Sequence, residues 1–302
     1  MKVIIPVAGF GTRLRPHTEI RQKCLLPVAG KPVLDHIIEP LISQGFDEIV
    51  LITGHLEGQI KKYVRRFDAE FTFARQDEQR GLGHAIFQGL EPSDDPVLIQ
   101  LGDVIYNLDL TEFCQSSTHK IAVDEVPDPE RFGVVEIDKE RITRVVEKPK
   151  NPHSNLAIVG LYFMTNQKVL YDAILQLMEN EITTNSEIQL ADAFEWMIGK
   201  GEVFQHAKVS KWFDCGIPET FLSTNKALLK PSGLQLDGVV IHEPVSIGTD
   251  CRIESSVIGP NVTIMDGVTI LNSQVEDSIV LWNAKVENED VEHEIFFKDS
   301  SG

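Results

Sequence analysis

No stretch of this 302-residue chain approaches the roughly 18 consecutive apolar residues of a membrane-crossing helix. No membrane partner is therefore expected. Only Val3, Ile4 and Ile5 stand between Met1-Lys2 and Pro6, too short a run for the apolar core of a secretory leader, so the expected location is cytoplasmic. Cysteine is scarce as well. Cys24, Cys114, Cys215 and Cys251 form no Cys-x-x-Cys pair and none has a histidine at metal-ligand spacing, which argues against a zinc site or a disulfide frame and leaves reduced thiols. Basic charge is in deficit, with 28 Lys and Arg against 46 Asp and Glu and a formal net charge of −18. That deficit argues against nucleic acid as a partner, because phosphate-backbone affinity rests on clustered cations. It leaves a nucleotide open, since one Arg, one or two Lys and a divalent ion reverse the sign locally.

What is present begins at the amino terminus. Val3-Ile4-Ile5-Pro6-Val7-Ala8-Gly9-Phe10-Gly11-Thr12-Arg13-Leu14-Arg15-Pro16 puts a glycine loop directly after a buried strand, and Lys23 precedes Leu25-Leu26-Pro27 and Lys31-Pro32. Gly9 and Gly11 let the chain turn sharply and present backbone N–H groups to phosphate oxygens, and Thr12, Arg13 and Lys23 add directed donors. The spacing excludes two familiar loops. A dinucleotide fingerprint needs a third glycine where this chain has Leu14, and a Walker loop needs Gly-Lys-Ser/Thr where Gly11 is followed by Thr12-Arg13.

On these residues the chain resembles the sugar-1-phosphate nucleotidylyltransferases, whose signature is Gly-x-Gly-Thr-Arg followed by Lys, Leu-Pro and Lys-Pro. The resemblance runs over about residues 1 to 228 and implies a Rossmann-like, three-layer α/β nucleotidyltransferase domain with a mixed, mainly parallel sheet. It carries further motifs. Leu101-Gly102-Asp103 and Phe213-Asp214-Cys215-Gly216 match the family's two metal carboxylates, which implies Mg²⁺ held by Asp103 and Asp214. Arg13, Lys23 and Asp103 are the implied catalytic residues, and Ala8, Gly9, Gly11, Thr12, Gln76 and Gly81 the implied nucleotide-binding ones. Gly133, Glu147, Lys148 and Gly160 are the implied sugar-phosphate contacts; Asn155 and Glu187 are weaker candidates and are left unassigned.

The chemistry of these side chains suits the roles. Arg13 is planar and permanently charged, Lys23 is a mobile point charge, and a carboxylate such as Glu147 accepts from two vicinal hydroxyls. A sugar phosphate is already ionised at neutral pH, so in-line attack on the α-phosphorus needs no base, and the lack of a Ser-His or Cys-His pair is no obstacle. A Gln amide matches the carbonyl and N–H edge of uracil or thymine, although Gln76 also suits a plain loop-bracing role. His84 reads as a packing or capping residue.

The branch stays open. Pro6-Val7-Ala8-Gly9 and Ser154-Asn155-Leu156-Ala157-Ile158-Val159-Gly160 look like glucose-1-phosphate uridylyltransferases, whereas Glu130 to Val135 and Gly160-Leu161-Tyr162-Phe163 look equally like the thymidylyltransferases. UTP or dTTP with glucose 1-phosphate is the expected pair. Two alternatives remain, a mannose-1-phosphate guanylyltransferase and a regulatory protein that binds sugar nucleotide without turnover. Against the first, Gly81-Leu82-Gly83-His84-Ala85 stands where that branch usually carries Pro-Leu-Gly-Thr-Ala; against the second, the charged set is intact.

Periodicity supplies the rest. Strands are expected at Val3–Val7, Glu48–Ile52 and Val97–Leu101, with helices opening at Pro32, after His55 (Ile60, Tyr63, Val64 and Phe67 inward) and after Gly83. Right-handed crossovers would set the strands' carboxyl ends on one ligand edge. Strand-like runs Gly133–Ile137, Ile142–Val146 and Leu156–Phe163 read as a sugar-facing insertion, and Ser186 with Gln189 as a capping box before Ile188–Ile198. After Lys230-Pro231-Ser232-Gly233, isoleucines at 247, 253, 258, 264 and 270 mark hexapeptide steps resembling a short left-handed parallel β-helix, whose open end is expected to pack on the first domain or on another subunit of a homo-oligomer. The expected domains are 1–230, catalytic, and 234–295, β-helical. A second, acyl-transferring activity is not expected, since His242 precedes the clear repeats and His293 follows them.

Overall fold

The computed structural model describes residues 1–209 and 211–298. The chain forms two compact units, one from Met1–Gly9 with Ile37–Trp212, the other from Phe10–His36 with Phe213 onward. Compactness thus cuts the chain at different places from the repeat pattern, because two sequence-distant segments share the second unit.

The first unit is organised by a nine-stranded sheet. Its strands are β1 (Lys2–Pro6), β2 (Glu48–Thr53), β3 (Glu70–Arg75), β4 (Val97–Gln100), β5 (His119–Glu125), β6 (Gly133–Asp138), β7 (Arg141–Glu147), β8 (Leu156–Met164) and β9 (Phe204–Lys208). Their spatial order is β3-β2-β1-β4-β8-β5-β9-β7-β6. On one side β2 and β4 flank β1 in parallel, and β3 adds to β2 in parallel. Beyond β4 the sense alternates: β8 runs antiparallel to β4 and β5, β9 parallel to β5, and β7 antiparallel to β9 and β6.

The sheet is therefore mixed, with antiparallel pairings as prominent as parallel ones rather than mainly parallel. The reason is local. β6 and β7 are joined by a tight hairpin, which forces antiparallel pairing, whereas parallel neighbours need a crossover of a dozen or more residues. The same finding corrects the expected insertion: β6, β7 and β8 continue the main sheet. Helices Leu82–Phe87, Gln167–Glu179 and Leu190–Gly199 contribute Ile86, Leu170, Ile174, Phe194 and Met197 to one buried cluster with Ile4, Ile52, Ile99, Val123 and Phe204. Burying such side chains is worth roughly 1.5–3 kcal/mol each, so the cluster contributes substantially to the stability of the unit.

Several helix boundaries differ from the periodic reading. The helix after His55 spans Glu57–Tyr63 and tightens into a 3₁₀ turn at Val64–Arg66, so Phe67 lies past its end and is only half-buried. The Ser186 capping box does not form. Ser186 has φ 65°, Gln189 takes the cap position, and the helix starts at Leu190. Strands β3, β5 and β9 were not read from sequence; β3 alternates half-buried and exposed residues and so lacks an apolar run.

The second unit contains helix Pro218–Leu228 and a set of short parallel ladders. Val240–Ile241, Val257–Ile258, Gln274–Glu276 and Asp290–Glu292 stack in one ladder; Val245–Ile247, Val262–Ile264, Ile279–Val280 and Ile295–Phe296 in a second; Arg252–Glu254, Thr269–Leu271 and Lys285–Glu287 in a third. All three ladders share one apolar cluster, with Ile258, Ile264, Ile270, Val275 and Val286 fully or almost fully buried. Asp250, Asn261, Asn272, Asp277, Asn283 and Asn288 turn the corners at positive φ, the conformation short polar side chains tolerate. The stacked parallel ladders are consistent with a β-helix, and all five isoleucines of the sequence pattern lie on their strands.

Candidate active site

The predicted site residues fall into two groups, one in each unit. In the first unit they sit at strand ends and on the loops that follow. β1 ends at Pro6 and runs into Val7-Ala8-Gly9, with Val7 N donating to Ile52 O at 2.8 Å. Asp103 comes three residues after the last residue of β4. The intervening Gly102 has no room for a side chain, since a Cβ there would lie 2.7 Å from Pro6 O and 2.6 Å from Val7 Cγ1. This close approach ties the start of the Asp103 segment to the end of β1.

Gly160 plays a related part on β8. Its φ of 84° belongs to the left-handed region, and the register of β8 against β5 shifts between Ile158 and Tyr162 around it. Leu101 N donates to Gly160 O at 2.9 Å, and the Tyr106 hydroxyl donates to Val159 O, so the bulge is pinned from both sides. Tyr162, just beyond, is buried, and burial first, then the charges of Glu147 and Asp103, push its phenol well above its ordinary value. Both carboxylates thus act on one buried ring.

Glu147 ends β7 directly opposite Gly133 on β6. A Cβ on Gly133 would stand 3.1 Å from Glu147 Oε2, and Lys148 Nζ lies 3.3 Å from Glu147 Oε1. Burial raises the Glu147 pKa above the usual carboxylate range; Lys148 opposes that rise, while Asp192 and Glu187 add to it. A desolvated carboxylate next to an exposed ammonium is able to hold hydroxyls and a phosphate side by side. Glu187, left unassigned by sequence, is thereby placed in this electrostatic environment, as is Asp192, whose Oδ2 is buried without a partner.

The loop between β3 and helix Leu82–Phe87 holds Gln76 and Gly81. Gln76 is 3% exposed, and its Nε2 donates to Gly81 O at 3.1 Å and faces His84 Nδ1 at 3.1 Å. The loop-bracing role weighed for Gln76 is therefore present in its donor bonds. Gly81, at φ 105°, cannot take a side chain, because a Cβ would meet Ile188 O at 2.7 Å. His84 packs between Gln76 and Gln88, and burial followed by the charge of Arg80 lowers its pKa, in keeping with a packing residue. Gln79, which sequence reasoning passed over, donates from Nε2 to Ala8 O at 3.1 Å and links this loop to the glycine segment. No spacing rule would have found it.

In the second unit Gly11 adopts a left-handed conformation at φ 63° and caps the 3₁₀ turn Thr12–Leu14. The buried Thr18 hydroxyl donates to Gly11 O at 2.8 Å, and Lys23 Cβ would be 3.2 Å from a Cβ at Gly11, so glycine turn and lysine backbone are held together. Thr12 and Arg13 project from an exposed turn, while Lys23 opens a second 3₁₀ turn, Lys23–Leu25, capped by Gln22 Oε1 accepting from Cys24 N at 2.7 Å. Asp214 follows the same logic. Thr224 Oγ1 donates to its carbonyl at 3.1 Å, and Gly216 leaves room for its carboxylate, since a Cβ there would be 2.7 Å from Oδ1.

This glycine-loop, strand-end and carboxylate arrangement has a known counterpart. A family model described as nucleotidyl transferase matches residues 2–231. The chain belongs to the nucleotidyl transferase family. It is 36% identical over 314 residues to the bifunctional protein GlmU of Methanocaldococcus jannaschii, covering 95% of this chain and 74% of that protein. A glucose-1-phosphate thymidylyltransferase of Streptomyces antibioticus is 29% identical, covering 93% of this chain and 87% of its own. Among solved structures, a Bacillus anthracis protein assigned as a glucose-1-phosphate thymidylyltransferase, in complex with a sucrose, superposes with a TM-score of 0.65 at 30% identity, over 75% of this chain and 94% of that one. A UDP-glucose pyrophosphorylase complexed with UDP-glucose gives a TM-score of 0.65 at 25% identity, over 75% and 97%. The fold is thus the α/β nucleotidyltransferase fold with a mixed sheet, and the enzyme is of the sugar-phosphate nucleotidyltransferase kind. No helix is long and apolar enough to cross a membrane among the described residues.

Proposed function

We propose that the protein transfers a nucleotidyl group from a pyrimidine nucleoside triphosphate, UTP or dTTP, to glucose 1-phosphate. An oxygen of the sugar phosphate attacks the α-phosphorus, the bond to the β-phosphate breaks, and pyrophosphate leaves. The observation that carries this reading is the half-buried Glu147 carboxylate paired with Lys148 opposite Gly133. Such a trio receives a sugar phosphate: Glu147 accepts from vicinal hydroxyls, Lys148 takes the phosphate, and Gly133 and Gly160 offer their backbone to the sugar.

Ala8, Gly9, Gly11 and Thr12 hold the triphosphate, and Arg13 and Lys23 neutralise the charge of the departing pyrophosphate. Gln76 and Gly81 read the base, with Gln76 Oε1 left to accept from the ring N–H because Nε2 is engaged with Gly81 O and His84 Nδ1. Asp103 and Asp214 are the carboxylates for Mg²⁺, and hard oxygen donors with the remaining positions left to phosphate and water fit that ion. Bound magnesium supplies charge neutralisation at the α-phosphate and leaving group. The domains are 1–230, catalytic, and 234–295, a left-handed β-helix serving a cytoplasmic homo-oligomer.

Purified protein with Mg²⁺, assayed for pyrophosphate release across four nucleoside triphosphates and a panel of sugar 1-phosphates, tests the proposal. UTP or dTTP with glucose 1-phosphate is expected to give the fastest release. Turnover confined to GTP with mannose 1-phosphate, or binding without turnover, would replace it.

A further inference from the structure

Asn225, on helix Pro218–Leu228, is 1% exposed, and its amide is bonded in three directions. Oδ1 accepts from Ala29 N at 2.8 Å and from the Thr263 hydroxyl at 2.7 Å, while Nδ2 donates to Asn261 O at 3.0 Å. Burying an amide is unfavourable unless its donors and acceptors are met, so a side chain this well satisfied fixes the groups around it in one arrangement. Ala29 is the first of two turn residues between Pro27–Val28 and Lys31–Pro32, and it holds a positive φ of 49° without being glycine. Its N–H is fastened by Asn225. Asn261 and Thr263 belong to the stacked coils.

Two further contacts bind the same segment to the coils. The Arg21 guanidinium lies 3.8 Å above the Trp282 ring, and a Cβ on the next turn residue, Gly30, would be 2.4 Å from Ser246 Oγ. Lys23 sits between these anchor points in sequence. The neighbouring residues of the helix act in parallel, Thr224 holding the Asp214 carbonyl and Lys226 pairing with Asp277 of the coils at 3.4 Å.

We propose that the coils serve as a splint for the triphosphate half of the site, and that Asn225 is the positioning residue through which they set the place of Lys23. The inference rests on the reading above, in which Lys23 and Asp214 serve the nucleoside triphosphate. It makes the solenoid part of the catalytic apparatus in addition to its role in assembly. The sugar half is independent of this strut, because Glu147 and Lys148 are placed by β7 and its ladder with β6.

Thr263→Val removes one of the strut's two coil-side bonds with little change of shape, leaving that to Asn261 O, and Thr263→Ser restores the hydroxyl; Asn225→Leu removes the whole hub. Steady-state kinetics should show kcat/KM for the triphosphate falling about 3-fold in T263V and about 10-fold in N225L, with KM for the sugar phosphate within about 2-fold of wild type and T263S near wild type. Equal loss for both substrates, or no loss in folded T263V, overturns the proposal. Hydrogen exchange of the 22–32 segment supplies a readout independent of turnover. Faster exchange there in T263V, with β1 to β9 unchanged, supports the splint even where wild type releases no pyrophosphate, an outcome that would instead sink the proposed reaction. Unchanged exchange in 22–32, or acceleration throughout the chain, sinks the splint.

Discussion

The two groups of site residues are held by different means. Glu147 and Gly133 face each other across a β-ladder, and Gly160 sits within β8, its carbonyl accepting from Leu101 N and its neighbour Val159 from the Tyr106 hydroxyl. Lys23, Arg13 and Asp214 stand on short 3₁₀ turns or a strand end and depend on side chains: Thr18 on Gly11, Gln22 on Cys24, Asn225 on Ala29 and Thr224 on Asp214. A ladder spreads the placement of a residue over many bonds, so losing one matters little. A short turn, which has few backbone bonds of its own, moves more readily when one of its side-chain braces goes. The expected sensitivity to remote substitution is therefore greater in the second group.

The strongest test is Asp103→Asn, which should lower kcat on the order of 10³-fold while the melting temperature stays within a few degrees, since Gly102 and the ladders still set the backbone. Pyrophosphate release at saturating substrates, paired with a thermal melt, measures both; an undiminished rate takes Asp103 out of the metal site.

Glu147→Gln should raise KM for the sugar phosphate about 10-fold and leave KM for the triphosphate alone. It should also stabilise the fold at pH 8. The raised folded pKa of Glu147 means that its contribution is fully present below its unfolded pKa, about 4.3, and is lost as pH rises through the folded value. A lower melting temperature for the Gln variant at pH 8 would show the charged form to be favoured instead.

Thr224→Val removes one bond to the Asp214 carbonyl and should cut kcat about 3-fold with no change in sugar KM, a loss that a comparable single deletion along β7 should not produce. If both kinds of substitution act alike, the contrast between the two groups is gone.

The smallest effect concerns His119, buried against Phe204, with Nε2 3.2 Å from Glu202 and Nδ1 accepting from Thr165 N. Burial lowers its pKa, and Glu202 opposes the shift. A depressed folded value contributes stability above its unfolded pKa, about 6.5, that is lost as pH falls through the folded pKa. Melting temperature should accordingly drop by a few degrees between pH 7 and pH 5, and His119→Gln should flatten that slope. An unaltered slope in the variant would assign the acid sensitivity to another group.

Much of the site was legible because its residues sit in short contiguous motifs. Gly9-Phe10-Gly11-Thr12-Arg13, Leu101-Gly102-Asp103 and Val146-Glu147-Lys148-Pro149 each combine a chain-bending residue with a charged one, and the bend is a local property. Gln79 and Asn225 were not legible, since each acts on a carbonyl or amide tens to hundreds of positions away and has an ordinary neighbourhood in sequence. Strand β3 was missed because its six residues include no fully buried one and so no apolar run, and the Ser186 box because a positive φ at that residue took it out of the cap position.

By itself the sequence determined the kind of fold and the chemistry on offer, for apolar period, glycine placement and charge type act over a few residues and survive without knowledge of the partner. The tertiary structure decided which way the later strands of the sheet run and what fastens the lysine turn. It also decided that residues 10–36 join the coils in one compact unit. Those outcomes depend on long-range backbone pairing and on buried polar side chains finding each other, and neither leaves a mark on neighbouring residues in the chain.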